Sequence, residues 1–550
     1  MSAISTEIER ASGRNAVGRP NFGEAESVQT GLWRRVAWVA LGLWLLLFAA
    51  EFFVSFHLCN NRLVFTLDDP YIHLAVANHI LSGGYGVNAS EYSSPSSSII
   101  WPYLMAATEA LHLGVYGPLS VNAIAAFATL VVFLRLIESF GLLDSEREGI
   151  FSYAIAILAI FVTSAIALPM TGMEHSLHVW ATIVTFAGLV GASRGQKPKA
   201  VHFVALVLLP LVRFEGAAFA FAAIAGYALL GARRFAALAA AAILGCLAAY
   251  FALMASRGLP LLPSSVLLKS PVTASAYDHA GSLRSMLGMV AANLVKPSAL
   301  LLMLLGLAIV RDAWSLRADR RAMVVCAAAL AAIGAHLLFG RYNWFHRYEV
   351  YVVALAALTL LYVAAKVKPL QSASQWKTTK IGVVALIGVA SAPYFLAAVE
   401  TPFAARNIYD QQYQMSLFAQ QLYGRPVAVN DLGLVAYRNP NFVLDLWGLG
   451  SEKVRKEKLA GHYGPEQMAA LAKEYHVGLA MIYDSFFPDG VPASWKKVAI
   501  LHTPQVTAAS SDVDFYATPA GDERKIAKDL EAFKRLLPAE DRLEIIGSTD

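Results

Sequence analysis

Two adjacent carboxylates, Asp68 and Asp69, come soon after an apolar block at 36–56, in the segment TLDDPYIHLAVANHILSGGYGVN. Neighbouring carboxylates repel, so both stay ionised only when a cation lies close. At a bilayer edge such a pair can take a proton from a hydroxyl, hold a divalent cation such as Mg or Mn, or balance positive charge developing on a sugar ring. The plainer alternative is helix-start chemistry: Pro70 suits a first turn, and acidic residues there cap the helix and oppose its dipole. Further ionisable residues stand at the ends of other apolar blocks: Glu174 and His175 in MTGMEH, Arg213 and Glu215 in VRFEG, Lys269 in LPLLPSSVLLKS, and Arg341, His346 and Arg347 in RYNWFHRYEV. A leaving phosphate is stabilised by cations, which makes Lys269 and Arg213 candidates for that role. Each could equally snorkel from a span, and the aromatic and basic stretch 341–348 also has the make-up of a plain membrane interface.

The elements that must position these residues are membrane spans. The 550 residues are 57% hydrophobic and 15% charged, where soluble chains average about 25% charged. Apolar blocks at 36–56, 118–140, 149–168, 175–193, 235–256, 322–340, 347–365 and 381–399 have the length needed to cross a hydrocarbon layer about 30 Å thick. With weaker segments the expectation is an α-helical polytopic membrane protein of about eleven transmembrane helices. A polar tail, 1–32, precedes them and reads as cytoplasmic, with no cleavable signal. Residues 401–550 have ordinary soluble composition and read as one α/β domain, with strands at 427–430, 442–446 and 478–484 and helices at 465–476 and 522–537. Asp431 and Asp445 follow strand-like runs, where loop residues either meet ligands or make turns. Neither G-x-G-x-x-G nor a Walker motif is present, which disfavours a sugar-nucleotide donor. The net charge of +5 comes from basic loops beside spans and does not imply nucleic acid. Cys59, Cys246 and Cys326 are too few for a disulfide framework.

Orientation turns on residues 97–113, SSIIWPYLMAATEALHL. Read as an interfacial helix, this segment leaves 14 Lys and Arg in the loops of one side and 8 in the much longer loops of the other. The positive-inside rule then makes 59–117 a large outer loop holding only Arg62 as a basic residue, and puts 401–550 outside too. Nearly all the unusual polar residues fall on that outer face, which suggests one shared polar cavity.

The motifs occur in an order that resembles GT-C glycosyltransferases, and within them the mycobacterial terminal arabinofuranosyltransferase family. DDPYIHLAVANHILSGGYGVN resembles that family's first outer loop, MTGMEH its Gly-x-Glu segment, VRFEG a Thr-Arg-Pro-Asp-Gly segment, and LPLLPSSVLLKS a loop ending in Lys. RYNWFHRYEVYVV resembles the entry to a late span, and VAVNDLGLVAY with VLDLWGLGSE the paired Asp motifs of the soluble domain. The resemblance implies a GT-C-like membrane domain at 33–400 and a periplasmic domain at 401–550, in a multi-pass plasma-membrane enzyme. It implies transfer of a sugar, a pentofuranose such as arabinofuranose, from a polyprenyl-phosphate donor to an envelope glycan or lipid acceptor. Asp68 is then the first choice for the catalytic carboxylate, with Asp69 supporting it or holding a metal. Lys269, Arg213, Arg341, His346 and Arg347 would face the donor phosphate, and Tyr71, His73, Glu174, His175, Glu215, Asp431 and Asp445 the substrates. The rival reading is a lipid-linked sugar transporter or flippase. Transporters carry inverted repeats and midplane polar residues, and the sequence shows neither.

Overall fold

The structure, a computed structural model, describes residues 22–142, 149–269 and 283–546. Most of the expected tail 1–32 lies outside the described residues. Among the described residues eight helices are long and apolar enough to cross a membrane: Trp33–Leu58, Tyr116–Ser139, His175–Ser193, Arg233–Ser256, Pro297–Leu316, Arg320–Phe339, Val350–Leu370 and Ala373–Tyr423. Three shorter apolar helices, Gly149–Val162, Ala200–Val212 and Gly216–Leu229, occupy other expected positions and fall short of the roughly 20 residues of a straight crossing. Val350–Leu370 is the most enclosed, with 89% of its apolar window buried against 17% for Trp33–Leu58. Its neighbours bury it all round, as a hydrophobic helix without a polar face requires.

Segment 97–113 contains the helix Trp101–Ala110, ten residues long. That is about 15 Å, half a hydrocarbon layer. It packs on the helix Asp69–Leu81, where Pro70 occupies the first turn and Ser82 caps the end. Both belong to the loop that leaves the first span.

The last spanning helix does not stop at residue 400. It runs on to Tyr423, with π-helical turns at Tyr409–Tyr413 and Phe418–Tyr423. A six-stranded mixed sheet follows, built from β1 (Val427–Val429), β2 (Val443–Asp445), β3 (Leu479–Ile482), β4 (Lys496–His502), β5 (Asp512–Ala517) and β6 (Arg542–Ile545). The order is β2-β1-β3-β5-β4-β6, parallel across β2-β1-β3 and antiparallel beyond. The three strands expected from sequence are these buried parallel ones. Side chains alternate between two cores: Val427, Val429, Leu479 and Met481 face one, Ala428, Ala480 and Ile482 the other. The first core also takes Ile72, Val76, Tyr85 and Val87 from the loop after the first span. Asn88 completes the joint by exchanging two hydrogen bonds with the backbone of Val443 at the sheet edge. That loop and the sheet therefore fold onto one another.

Candidate active site

Asp68 and Asp69 part company at the start of their helix. The Asp68 carboxylate, 5% exposed, turns toward the sheet domain. It accepts the N–H groups of Gly433 (2.5 Å) and Leu434 (2.8 Å). A side chain at position 433 would collide with it, so glycine is what lets the two segments meet. Asp431 stands close enough for its charge to act on Asp68. Burial first, then that facing charge, pushes the Asp68 pKa well up; burial raises Asp431 too. Asp431 also accepts from Gln412 Nε2 (2.8 Å), and the Tyr483 hydroxyl lies 3.0 Å away.

Asp69 faces the other way. Its Oδ2 accepts from Arg347 Nη2 at 2.6 Å, and the same nitrogen donates to the Tyr348 hydroxyl at 3.0 Å. Three guanidinium groups surround the Tyr348 ring: Arg347 at 5.0 Å, Arg213 at 5.2 Å and Arg341 at 5.6 Å from its centroid. Arg213 is engaged by Glu174 (2.7 Å) and Glu215 (2.8 Å), and its charge holds the Glu215 pKa down at about 2 against the effect of burial. Arg347 is 2% exposed, and its Nε and Nη1 have no partner among the described residues. Arg341 has no carboxylate at ion-pair distance among those residues.

Two cavities meet at this cluster. The larger, about 380 Å³, is lined by Asp68, Asp69, Lys296, Arg341, Arg347, Tyr348, Gln412, Asp431, Trp447 and Tyr483 among others. The smaller, about 190 Å³, is lined by Asp69, His73, Ser97, Arg213, Glu215, Arg341, Arg347 and Tyr348. Asp69, Arg341, Arg347 and Tyr348 form the wall between them. A carboxylate and several cations thus stand where two reactants could meet, the arrangement group transfer between a phosphate ester and a hydroxyl requires.

The remaining sequence candidates divide. His73 lines the smaller cavity, its Nε2 3.9 Å from Glu174, and burial lowers its pKa. Glu174 and His175 sit one layer behind, Glu174 on Arg213 and the His175 ring edge-on to Tyr348 at 5.7 Å. Tyr71 is buried, its hydroxyl accepting from the Phe65 N–H. His346 is directed to Glu349 (3.3 Å) and lines neither cavity. Asp445 is buried and accepts from the N–H groups of Trp447 (2.7 Å) and Gly450 (2.6 Å). It shapes the loop that carries Trp447 to the cavity. Lys269 closes the short helix Ser264–Lys269, and its side chain lies outside the described residues.

Sequence reasoning missed Lys296, Gln412, Trp447 and Tyr483, which line the larger cavity, and Asn407, which holds the wall made by Thr507–Ala509. Asn407 Oδ1 accepts from the N–H groups of Val506, Thr507 and Ala508. Lys296 stands before an apolar helix, like any snorkelling residue, and the others sit in ordinary soluble-domain sequence. The available signal was the polar run Asn407–Gln414 continuing an otherwise apolar helix.

Asp68 has both oxygens on backbone donors and Asp69 is engaged by Arg347. Among the described residues no group of three or more His, Cys, Asp or Glu is placed to form an all-protein cage for a metal.

No curated protein matches the chain. A family described as a domain of unknown function (DUF8728) matches residues 406–516. Among solved structures, ArnT from Cupriavidus metallidurans in the apo state is similar at a TM-score of 0.51 and 12% identity, over 89% of this chain and 99% of that one. The arabinofuranosyltransferase AftD from Mycobacteria gives 0.43 at 15% identity, with 89% of this chain spanning 42% of that one. An Archaeoglobus fulgidus oligosaccharyltransferase gives 0.41 at 12% identity, over 86% and 74%. At 12% identity the likeness to ArnT is one of fold: membrane helices and C-terminal α/β unit together share it over nearly the whole of both chains.

Proposed function

We propose that the chain is a membrane glycosyltransferase that moves a sugar from a polyprenyl-phosphate donor to an envelope glycan or lipid acceptor. The observation that carries this reading is the junction of the two cavities, where Asp69 and three arginines gather around Tyr348. The donor phosphate takes the arginine side, where Arg341 and the unpartnered nitrogens of Arg347 can receive it. The acceptor hydroxyl enters from the larger cavity. The anomeric carbon–phosphate oxygen bond breaks, the acceptor oxygen bonds to that carbon, and the acceptor proton passes to the Asp69 carboxylate. Arg341 and Arg347 stabilise the negative charge left on the phosphate.

Of the two aspartates, Asp69 is the better placed for this step. The carboxylate of Asp68 is held by the backbone donors of Gly433 and Leu434. The sugar is a pentofuranose such as arabinofuranose, supported by the order of the sequence motifs. The periplasmic placement is supported by the basic-residue count of the loops. A cysteine introduced at Ala460 then reacts with membrane-impermeant reagent in cells whose outer envelope alone is permeabilised, and one at Ala313 only after lysis. The deciding experiment incubates purified protein with a panel of polyprenyl-phosphate sugars and envelope acceptors. Transfer from at least one donor, abolished in Asp69→Asn, is expected; transport without transfer would put the flippase reading in its place.

A further inference from the structure

A third cavity, about 240 Å³, opens in the sheet domain beside the larger one. Its walls include Lys458, Tyr463, Phe486, Phe487 and Asp489. Phe486 lines both spaces and packs on Trp447 of the larger cavity, ring centroids 5.0 Å apart. The Lys458 ammonium lies 3.8 Å above the centre of the Trp447 ring and 5.3 Å from that of Tyr463. No acceptor is hydrogen-bonded to it among the described residues, and no carboxylate stands at ion-pair distance.

A lysine that only covered a tryptophan would do so with its methylene stem and leave the ammonium in water. Here the head itself is drawn over the aromatic face, and burial lowers the amine pKa to about 8 despite the charge of Asp445. Apart from the two aromatic faces, its three N–H donors have no acceptor among the described residues, at the wall of an aromatic-lined groove. Aromatic faces suit the C–H face of a sugar ring, and an ammonium suits its oxygens. Phe486 stands between this groove and the space where Asp69 stands, so a chain that lies over both crosses Phe486.

We infer that the Lys458–Tyr463–Phe486 groove is an outer acceptor subsite, taking a saccharide unit beyond the one that reacts. The subsite rests on the glycosyltransferase reading. It makes the acceptor an oligosaccharide chain, its added unit stacking on Tyr463 and Phe486 and its oxygens accepting from Lys458. A bare lipid acceptor leaves the groove without a role.

The test uses the full chain in detergent and ladders of arabinofuranosyl and glucopyranosyl oligosaccharides, from a single unit to a hexasaccharide. Amine acetylation of Lys458, read by mass spectrometry, is expected to be blocked by longer members of one ladder and not by its monosaccharide. In transfer assays KM falls with acceptor length in the wild type. In Lys458→Met that gain is lost, a change of roughly tenfold or more for one charge-assisted hydrogen bond. Tyr463→Ala is expected to flatten the same dependence, guarding against a defect peculiar to the lysine variant. Labelling of Lys458 that no oligosaccharide alters, or the same length dependence in both variants as in the wild type, overturns the subsite. A wild type that protects Lys458 yet transfers no sugar overturns the glycosyltransferase reading and keeps a saccharide site.

Discussion

The joint where the loop after the first span meets the sheet and the junction where the two cavities meet are built from the same kinds of side chain and end in opposite states. At the joint, every Asp68 oxygen has a backbone donor. At the junction, cations outnumber what they need locally: Arg341 has no carboxylate, and two Arg347 nitrogens have no partner among the described residues. A satisfied buried network makes structure; an incompletely satisfied one at a cavity wall invites a ligand. The two neighbouring aspartates fall one on each side of that divide. Both lie at a helical start, where successive side chains diverge by about 100°, enough to send Asp68 to the sheet and Asp69 to the cavities.

The largest effect expected is on Asp69. Asp69→Asn should lower transfer about 10²–10⁴-fold in folded protein, the range for loss of a positioned base, with donor binding retained. Turnover near the wild-type rate in Asp69→Asn, together with loss in Asp68→Asn, would reverse the division of labour. Next comes Arg213→Ala, which leaves the buried Glu174 and the half-buried Glu215 without their cation. Breaking such a pair costs about 3–5 kcal/mol, so reduced folded yield and a lower Tm should dominate, and this variant says little about phosphate.

Arg341→Ala strands no carboxylate and is the cleaner probe of the donor. Losing one charge-assisted contact costs about 1.5–3 kcal/mol, read as a donor KM raised roughly ten- to a hundred-fold with stability little changed. Asp68→Asn should act in the opposite manner. It offers an amide to two backbone N–H groups that need an acceptor, and costs about 1–3 kcal/mol of stability while the folded fraction turns over. An unchanged thermal midpoint would remove Asp68 from the joint.

The smallest effect concerns Glu91, which accepts from Glu452 N–H (3.0 Å) and the Ser451 hydroxyl (3.3 Å) in the same joint. Burial raises its pKa from 4.5 to about 7. A raised carboxyl favours its protonated form in the fold, so its contribution is complete below pH 4.5, is lost as pH rises to about 7, and falls no further above. Melting of the wild type should therefore weaken over that window by on the order of 1 kcal/mol more than melting of Glu91→Gln. Identical pH profiles would show that the joint does not feel this group.

Much of the frame was legible because its signals are local. Apolar runs long enough to span, Pro70 at a helix start and the buried strands at 427–430, 442–446 and 478–484 are properties of neighbouring residues. Strands β4, β5 and β6 were not read. They lie toward the other edge of the sheet, where half-exposed residues such as Lys496, Lys497 and Arg542 interrupt the apolar pattern. The extension of the last span to Tyr423 was hidden by its polar residues, Asn407, Gln411 and Gln412. These look like loop sequence until their partners, Val506–Ala508, Thr503 and Asp431, are brought beside them.

By itself the sequence determined that the chain is a membrane protein, that segment 97–113 in its first large loop is not one more span, and that carboxylates and arginines accumulate at span ends. Those conclusions follow from hydrocarbon thickness and charge cost, which act on each segment separately. Only the tertiary structure decided which aspartate faces a cavity, that Arg213 is engaged by two glutamates while Arg341 is not, and that Lys458 sits over Trp447 at the edge of the site. Each of these depends on contacts between distant segments, Asp68 with Gly433 and Asp69 with Arg347 above all. Such contacts exist once the loop after the first span and the sheet have closed over one another.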